Sequence, residues 1–429
     1  MTGAVKKSAT LPQKVTSLLK KGVRMTNPFS VEIGAEVNPE RIAGSVMIYG
    51  GARISGENTL IAEDVRLGYE TPVTLINCQL GPAVELKGGY FAGSVFLEKA
   101  SMGGNAQVRN GCLLEEESGG NHTVGLKQTI LFPFVTLGSL INFCDCLMAG
   151  GTSRKNHSEV GSSYIHFNYT PGQDKATASL IGDVPRGVML KENPIFLGGQ
   201  GGLVGPGQLD YGTVIPAGII YRKDTSQAGS IEASCYSPLS GREFPPGVYG
   251  DIRRKVYLNV LYIANLLALR QWYIHVRREF FRKQKFGGGL YAGASCVIAK
   301  AVTERLQQMK LFIRNMENSL TAAAEKKKRS LPANVIRLRK EVLLMWPQME
   351  EYLSAADEEK FGLKEKESFI KIIRNKSAGN ISYLEAIKSL SPAEAKTGTD
   401  WLQRITSGVT GHCFPEMKTL RREKSGFHK

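Results

Sequence analysis

Aliphatic residues recur every six positions along the first half of the chain. The recurring positions fall into three runs: Leu197, Leu203, Leu209 and Ile215; Ile42, Ile48, Ile54 and Leu60; and, more loosely, Tyr90, Phe96, Met102 and Val108. A period of six fits neither the α-helix, with about 3.6 residues per turn, nor the alternation of two along a β-strand. It is typical of hexapeptide-repeat parallel β-helices, in which each short strand contributes one inward side chain. The pattern therefore predicts a mainly β fold of this kind, with a β-sandwich of accidental spacing as the alternative.

The hydrophobic pattern changes after Asp251. Apolar residues then follow steps of three and four, as in Tyr257, Leu261, Ala264 and Ala268, which is typical of amphipathic helices. We therefore expect four segments: an N-terminal lead-in at 1–30, the β-helix at 31–224, a connector at 225–250 and a basic all-α C-terminal domain at 251–429.

The charge of the chain is concentrated in that last segment. The 429 residues carry a formal net charge of +16, and residues 251–429 hold 34 of the 55 Lys and Arg but only 18 of the 39 Asp and Glu. The basic residues are spread over several predicted helices without an aromatic platform or a known binding motif. We therefore do not expect nucleic-acid binding; a solvated helical face, or one that meets acidic partners or anionic lipid, stays open.

Cysteine usage and hydropathy bear on the location of the protein. Seven cysteines are present, and the close pair Cys144 and Cys146 has neither zinc-site nor C-x-x-C spacing, so we expect free thiols and no metal site. The N-terminus lacks a secretory signal pattern. The most apolar stretch, 256–269, contains Asn259 and Asn265 and is too short to span a bilayer. These features predict a cytoplasmic protein that is not transmembrane.

One segment carries more specific information than the period of six. Residues 153–157 spell Ser-Arg-Lys-Asn-His, residues 168–175 begin Asn-Tyr and end in Lys, residues 181–183 are Ile-Gly-Asp, and residues 209–218 end Gly-Thr-Val-Ile-Pro-Ala-Gly. The segment resembles the acetyltransferase half of the bifunctional bacterial enzymes that make UDP-N-acetylglucosamine. That family has S-K-x-[NG]-H, N-Y-D-G-x-x-K and I-G-D steps and a last coil V-x-x-G-T-x-[IV]-A-A-G. The resemblance covers residues 125–224.

The resemblance implies a homotrimer of left-handed parallel β-helices, with acetyl-CoA or another acyl-CoA bound between subunits. It also implies that His157 is the general base: an amine that attacks a thioester must lose a proton, and imidazole titrates near neutrality. The residues at the family's ligand positions are Lys127, Arg154, Asn168, Tyr169 and Lys175 for the acceptor, and Gly199 and Ala217 for acyl-CoA.

The chain departs from the family at several positions. Val160 replaces a tyrosine, Asp145 lies near the place of a phosphate-binding lysine, and Gly199 replaces a serine. No G-x-G-T-R-M-like phosphate loop is present, so we expect no nucleotidyl transfer. His166 alternates with Phe167 along a strand and is interpreted as structural.

Two functions remain open at this point. The first is an acyl-CoA-dependent transferase that acts on a sugar phosphate or nucleotide sugar, with His157 as base. The second is a catalytically silent β-helix that binds a nucleotide sugar or serves as a scaffold, while the helical domain recruits a partner.

Overall fold

The chain folds into a parallel β-solenoid of about 10 turns followed by a helical C-terminal region, which confirms the predicted fold class. The computed structural model describes residues 10–168, 170, 175–225, 228–232, 249, 252–325, 333–355, 357–379 and 381–414. Each turn of the solenoid visits three faces in order, and all strand pairs between successive turns are parallel.

The strands of the three faces are short, and most contain two to four residues. The first face consists of Arg24–Met25, Met47–Ile48, Arg66–Leu67, Glu85–Leu86, Ser101–Met102, Gly119–Gly120, Thr136–Leu137, Glu159–Val160, Phe196–Leu197 and Val214–Ile215. The second consists of Glu32–Ile33, Arg53–Ser55, Val73–Ile76, Gly89–Ala92, Ala106–Val108, Ile165–Phe167, Gly202–Val204 and Ile220–Tyr221. The third consists of Leu60–Ile61, Gln79–Leu80, Val95–Phe96, Leu113–Leu114, Ser179–Ile181 and Gln208–Leu209. The longer strands Gly125–Leu131 and Asn142–Met148 bend from the second face into the third.

The residues that recur every six positions point into the lumen of the solenoid, except that two of them are displaced by one residue from the true inward position. Leu197, Leu203, Leu209 and Ile215 are all at most 1% exposed and fill the lumen. In the earlier coils the inward positions are occupied by Ile61 rather than Leu60 and by Phe91 rather than Tyr90. The reason is that not every side of a coil has six residues: the side from Ile54 to Ile61 spans seven positions, and the side from Phe91 to Phe96 spans five. Phe91 and Phe96 meet edge to face inside the lumen, with ring centroids 5.8 Å apart.

Most helices follow the solenoid, but one short helix precedes it and another lies between two of its coils. Their bounds are α1 (Gln13–Lys20), α2 (Val184–Gly187), α3 (Arg253–Trp272), α4 (Arg278–Phe281), α5 (Gly287–Glu325), α6 (Ala333–Ala355), α7 (Leu363–Ser377), α8 (Tyr383–Lys388) and α9 (Pro392–Cys413). A π-helical turn, Tyr273–Arg277, joins α3 to α4. Capping boxes begin α8 at Ser382 and α9 at Ser391, because each serine hydroxyl accepts from the backbone N–H three residues later.

The third face of the solenoid is covered by α3 and α5, and we call it the covered face. Outward side chains of this face, such as Leu60, Val95 and Leu113, are at most 3% exposed. The glycines Gly289 and Gly293 let α5 approach closely, since a Cβ at either would collide with Leu60 or Gln79. The first and second faces, by contrast, keep exposed outward residues, and we call them the open faces.

Polar groups connect the helices to the solenoid across this interface. Tyr273 donates to Glu115 at 2.5 Å, and Arg277 pairs with Glu116 at 2.5 Å. Asn259 donates to the carbonyl of Ala176 at 3.0 Å. The amide oxygen of Asn265 accepts from the backbone N–H of Val184, at the start of α2, at 2.9 Å. The two asparagines that interrupt the apolar stretch 256–269 therefore have hydrogen bonds to the solenoid, as buried polar groups require.

Within the part of the chain that the structure describes, no helix has both the length and the apolarity needed to cross a bilayer. The cysteines in that part, Cys78, Cys112, Cys144, Cys146, Cys296 and Cys413, are all free thiols.

Candidate functional site

The corner between the second face and the covered face holds a cleft. The long strands Gly125–Leu131 and Asn142–Met148 bend at this corner through Gln128 and Asp145, whose φ values of +50° and +60° lie in the left-handed region. Lys127 precedes the bend on the first strand and is exposed. Its neighbour on the second strand is Cys144, so the lysine, the thiol and Asp145 lie together.

The next coil adds Asn168 and Lys175 to the same corner. The cleft has an inner chamber of about 80 Å³ and an outer chamber of about 450 Å³. The inner chamber is lined by Lys127, Gln128, Cys144, Asp145, Asn168, Lys175, Thr177, Glu304, Arg305 and Gln308. The outer chamber is lined by Asn168, Thr170, Lys175, Gln308, Leu311, Phe312 and Asn315. Tyr169, predicted to contact the acceptor, lies outside the described residues.

Charges of both signs meet in the inner chamber. Asp145 forms an ion pair at 2.7 Å with Arg305 of α5, whose side chain is only 5% exposed. Burial and the neighbouring Asp145 raise the pKa of the Cys144 thiol, whereas Lys127, Lys175 and Arg109 act to lower it. Among the described residues, neither Lys127 nor Lys175 has a carboxylate partner. The chamber is therefore suited to a ligand group that carries negative charge.

His157 lies at a different corner, where the covered face returns to the first face. It belongs to a small antiparallel hairpin formed by Gly151–Ser153 and Asn156–His157. Gly151, with φ +99°, permits this hairpin, since a Cβ there would collide with the backbone of His157. The Nδ1 atom of the imidazole is buried and has no hydrogen-bond partner among the described residues.

Arg154, at the tip of the same hairpin, is engaged with the solenoid. Its Nη1 atom lies 3.0 Å from the carbonyl oxygens of Glu117 and Phe134 and 2.8 Å from the hydroxyl of Thr136. These contacts hold the hairpin against the edge of the first face. All three of these contacts are made by Nη1.

Val160, three residues after His157, is the position where the chain has a valine in place of the family's tyrosine. Val160 is fully buried and points into the lumen between Leu137 and Leu197, while Glu159 occupies the exposed, outward position of that strand. No hydrogen bond joins Glu159 to His157 in the described part of the chain. The surface beside the histidine therefore carries the carboxylate of Glu159, and Val160 contributes no polar group to it.

Gly199 and Ala217 lie at the remaining corner, between the first and second faces. The coils stack tightly here: a Cβ on Gly199 would come within 2.7 Å of the carbonyl oxygen of Ser162, so the family's serine would not fit without a shift. Ala217 is exposed and precedes Gly218, whose φ is +77°. At Gly198–Gly199 and Ala217–Gly218 this corner carries no side chain larger than a methyl group.

The predicted site residues are thus distributed over all three corners of the solenoid. Lys127, Asn168 and Lys175 line one cleft, His157 and Arg154 belong to the hairpin corner, and Gly199 and Ala217 belong to the third. Within one chain, the body of the solenoid separates the histidine from the cleft.

His166 is a core residue, in line with its structural interpretation. It is 3% exposed, and its Nε2 atom lies 2.8 Å from the hydroxyl of Ser179. Burial lowers its pKa to about 4, so the ring is neutral at physiological pH. Among the described residues, no cluster of His, Cys, Asp and Glu side chains is suited to holding a metal ion.

Sequence reasoning missed the contribution of α5 to the cleft. Arg305, Gln308 and Asn315 all line it, although they lie about 130 residues or more beyond Lys175. A signal was present: the apolar stripe of α5 runs through Ile298, Val302, Met309 and Phe312, and Arg305 interrupts it at a buried position. A charged residue in such a stripe needs a partner, which here is Asp145.

Comparison with known proteins agrees with the fold. No family model matches the chain. Over 218 residues, which span 49% of this chain and 42% of the relative, it is 25% identical to the bifunctional protein GlmU of Thermotoga maritima. The similarity to GlmU is weak and covers about half of this chain. The GlmU proteins of Thermotoga sp. strain RQ2 and Thermotoga petrophila match it with the same identity and coverage. The chain thus spans less than half the length of the relatives that it matches, and the solenoid is consistent with a hexapeptide-repeat acetyltransferase.

Proposed function

We propose that this protein is an acyl-CoA-dependent transferase whose acceptor is a sugar phosphate or a nucleotide sugar. The observation that carries the proposal is that Lys127, Asn168 and Lys175, assigned to the acceptor by resemblance, line one cleft. The lysines match the charge of a phosphate, and Asn168 offers an amide to sugar hydroxyls. The relatives named GlmU support the class of reaction.

His157 is the proposed general base. The acceptor amine attacks the thioester carbonyl, the C–N bond forms, and the C–S bond breaks as the amine gives its proton to the imidazole and the CoA thiolate leaves. In this role the amine proton passes to Nε2, since the Nδ1 atom is buried.

The separation of His157 from the cleft requires more than one copy of the chain. In a homotrimer, the hairpin corner of one subunit would face the cleft corner of its neighbour. The acyl-CoA would lie along the third corner, where the exposed Ala217 and the adjacent Gly218 leave room beside the backbone, since a Cβ on Gly218 would meet nothing within 4 Å. Acetyl-CoA is the acyl donor that the resemblance indicates.

Release of CoA from acetyl-CoA, assayed with a panel of amino-sugar phosphates and their nucleotide derivatives, tests the activity. We expect His157→Ala to lower kcat by about 10²–10⁴-fold with little change in fold. Asn168→Ala is expected mainly to raise KM, because it removes contacts made in both ground and transition states.

Mixed oligomers test the shared site. If His157 and Asn168 act from neighbouring subunits, unfolding and co-refolding the two impaired variants together should restore part of the wild-type rate, measured at an acceptor concentration below the raised KM of Asn168→Ala. Wild-type turnover that His157→Ala retains within about twofold would contradict the mechanism. Light scattering that finds a monomer at micromolar concentration would contradict the shared site.

A catalytically silent nucleotide-sugar-binding protein is the second candidate. It is favoured by one observation: Lys127, Asn168 and Lys175 lie together in one cleft of a single chain, whereas the hairpin that carries His157 lies at another corner. Calorimetric binding of a nucleotide sugar without CoA release, for any acceptor in the panel, would support this candidate over the transferase.

A further inference from the structure

Helix α5 forms the far wall of the acceptor cleft. Gln308, Leu311, Phe312 and Asn315 follow each other at helical spacing and line the outer chamber opposite Asn168 and Lys175. Leu311 is 41% exposed, so the wall combines an accessible apolar surface with two amides. A chamber of about 450 Å³ lies within the size range of small-molecule sites.

The same helix changes the charge of the inner chamber. Arg305 pairs with Asp145 at 2.7 Å and lies 3.7 Å from Glu304, which also accepts from Gln308 at 3.0 Å. Both carboxylates of the chamber therefore have partners from α5. Without Arg305, Asp145 would repel an anion; with it, Lys127 and Lys175 are not opposed by an unpaired carboxylate.

Two buried polar atoms of the inner chamber have no protein partner among the described residues. They are the hydroxyl oxygen of Thr177, a residue that is 1% exposed, and the amide oxygen of Gln128. A buried polar atom without a partner carries a desolvation cost; a bound phosphate would remove that cost for the Thr177 hydroxyl, which can donate, whereas the amide oxygen of Gln128 only accepts. About 80 Å³ is room for two or three water molecules, each of which takes about 30 Å³ in the liquid, or for one group of phosphate size.

We infer that α5 is a built-in part of the ligand site and that it selects the acceptor. The phosphate of the ligand lies in the inner chamber beside Lys127, Lys175 and Arg305, and the hydroxyl of Thr177 donates to it. The rest of the ligand lies against Gln308, Leu311 and Asn315. This inference rests on the proposed function only in taking the ligand of the cleft to be the phosphorylated acceptor.

Binding to the full chain, measured by calorimetry with UDP, uridine and inorganic pyrophosphate, tests the inference without any need for turnover. We expect UDP and pyrophosphate to bind and uridine to bind at least tenfold more weakly. Gln308→Ala should weaken UDP binding about fivefold, the typical effect of one lost hydrogen bond. Gln307→Ala, one position along the same helix and exposed, is the matched control and should leave affinity unchanged within about 1.5-fold.

The charge of Arg305 is tested by the double variant Arg305→Gln/Asp145→Asn, which removes both charges without leaving either buried alone. The double variant keeps the net charge of the chamber, so the tenfold or greater loss that we expect for UDP and pyrophosphate, with uridine unaffected, would come from the lost contact between the guanidinium and the phosphate. If this variant does not fold, Gln308→Ala and Asn315→Ala still decide the point.

Two results would overturn the inference. One is that Lys127→Ala weakens UDP binding while Gln308→Ala and Asn315→Ala do not. The other is that the wild-type chain binds neither UDP nor pyrophosphate at millimolar concentration. The proposed transferase activity fails separately, when UDP binds as expected but no acceptor causes CoA release.

Discussion

The covered face and the open faces of the solenoid use the same two-residue strands in different ways. On the open first face, Arg66–Leu67 and Glu85–Leu86 present one polar residue outward and one leucine inward. On the covered face, Val95–Phe96 and Leu113–Leu114 are apolar and buried at both positions. The difference arises because a sheet buried on both sides loses the alternation that a half-exposed sheet keeps. Strands that are buried at both positions, as Val95–Phe96 and Leu113–Leu114 are, therefore mark where the helical domain docks.

Ion pairs differ in the same way between the two regions. Arg277 and Glu116 meet at 2.5 Å under the helices, with side chains 1% and 10% exposed, and the guanidinium lies 3.7 Å from the centre of the Tyr383 ring. Arg66 and Glu85 meet at 2.9 Å on the first face, but their side chains are 48% and 37% exposed, and the ring beneath Arg66, that of Tyr69, is 5.7 Å away. Only the first pair is shielded from water and salt.

A charge on the covered face should give the largest effect. Helix α5 packs against the strand Val95–Phe96, so Val95→Asp would bury a carboxylate without a partner. We expect a loss of more than about 4 kcal/mol from the docked helical domain. All three tryptophans lie in the C-terminal helices, so urea unfolding followed by tryptophan fluorescence measures this domain.

Gln107→Asp provides the matched control, because Gln107 is exposed on the neighbouring open face. It should change the same unfolding transition by less than about 0.5 kcal/mol. Equal losses for the two variants would show that the apolar outward residues do not hold the helices in place.

Breaking the buried ion pair should have the next largest effect. Arg277→Met leaves Glu116 buried without its cation and removes the contact with Tyr383, so we expect a loss of about 3 kcal/mol in the same assay. Arg66→Met removes the exposed equivalent and should cost at most about 1 kcal/mol. Raising the salt concentration should diminish the stability loss caused by Arg66→Met and leave the loss caused by Arg277→Met nearly unchanged. A strongly salt-dependent loss for Arg277→Met would contradict the difference in burial.

The buried acid next to this pair predicts a pH dependence. Burial raises the pKa of Glu115 from 4.5 to about 7, although Arg277 opposes the shift. The folded protein therefore retains this proton at pH values where the unfolded chain has lost it. The stabilisation is fully present below about pH 4.5 and is lost as the pH rises towards 7.

Glu115→Gln replaces the acid by a side chain that does not ionise. Between pH 5 and 8 the unfolding free energy of this variant should therefore fall by roughly 1–3 kcal/mol less than that of the wild type. The glutamine retains an acceptor for the hydroxyl of Tyr273, which donates to Glu115 at 2.5 Å. Denaturant unfolding at the two pH values measures the difference, with Glu85→Gln on the open face as the control. Parallel pH profiles for wild type and Glu115→Gln would refute the prediction.

Much of the fold could be predicted because the period of six is a local property. It identified the inward residues Leu197, Leu203, Leu209 and Ile215 correctly, whereas Leu60 and Tyr90 are each one residue from the true inward position. These two misses have a physical cause: the side from Ile54 to Ile61 spans seven positions and the side from Phe91 to Phe96 spans five, with Gly56 and Gly93 at positive φ in the respective corners. A rule with a fixed spacing of six detects neither change.

The sequence by itself determined the kind of fold, the helical character of residues beyond 251 and the identity of the motif residues, because strand and helix periods and short motifs depend on neighbours in the chain. Only the tertiary structure decided which of those residues meet. It put Lys127, Asn168 and Lys175 in one cleft, set His157 at another corner, and brought Arg305 of α5 to Asp145 across 160 positions of sequence. Contacts at that separation depend on how the helices dock on the covered face, and no local pattern encodes that distance or direction.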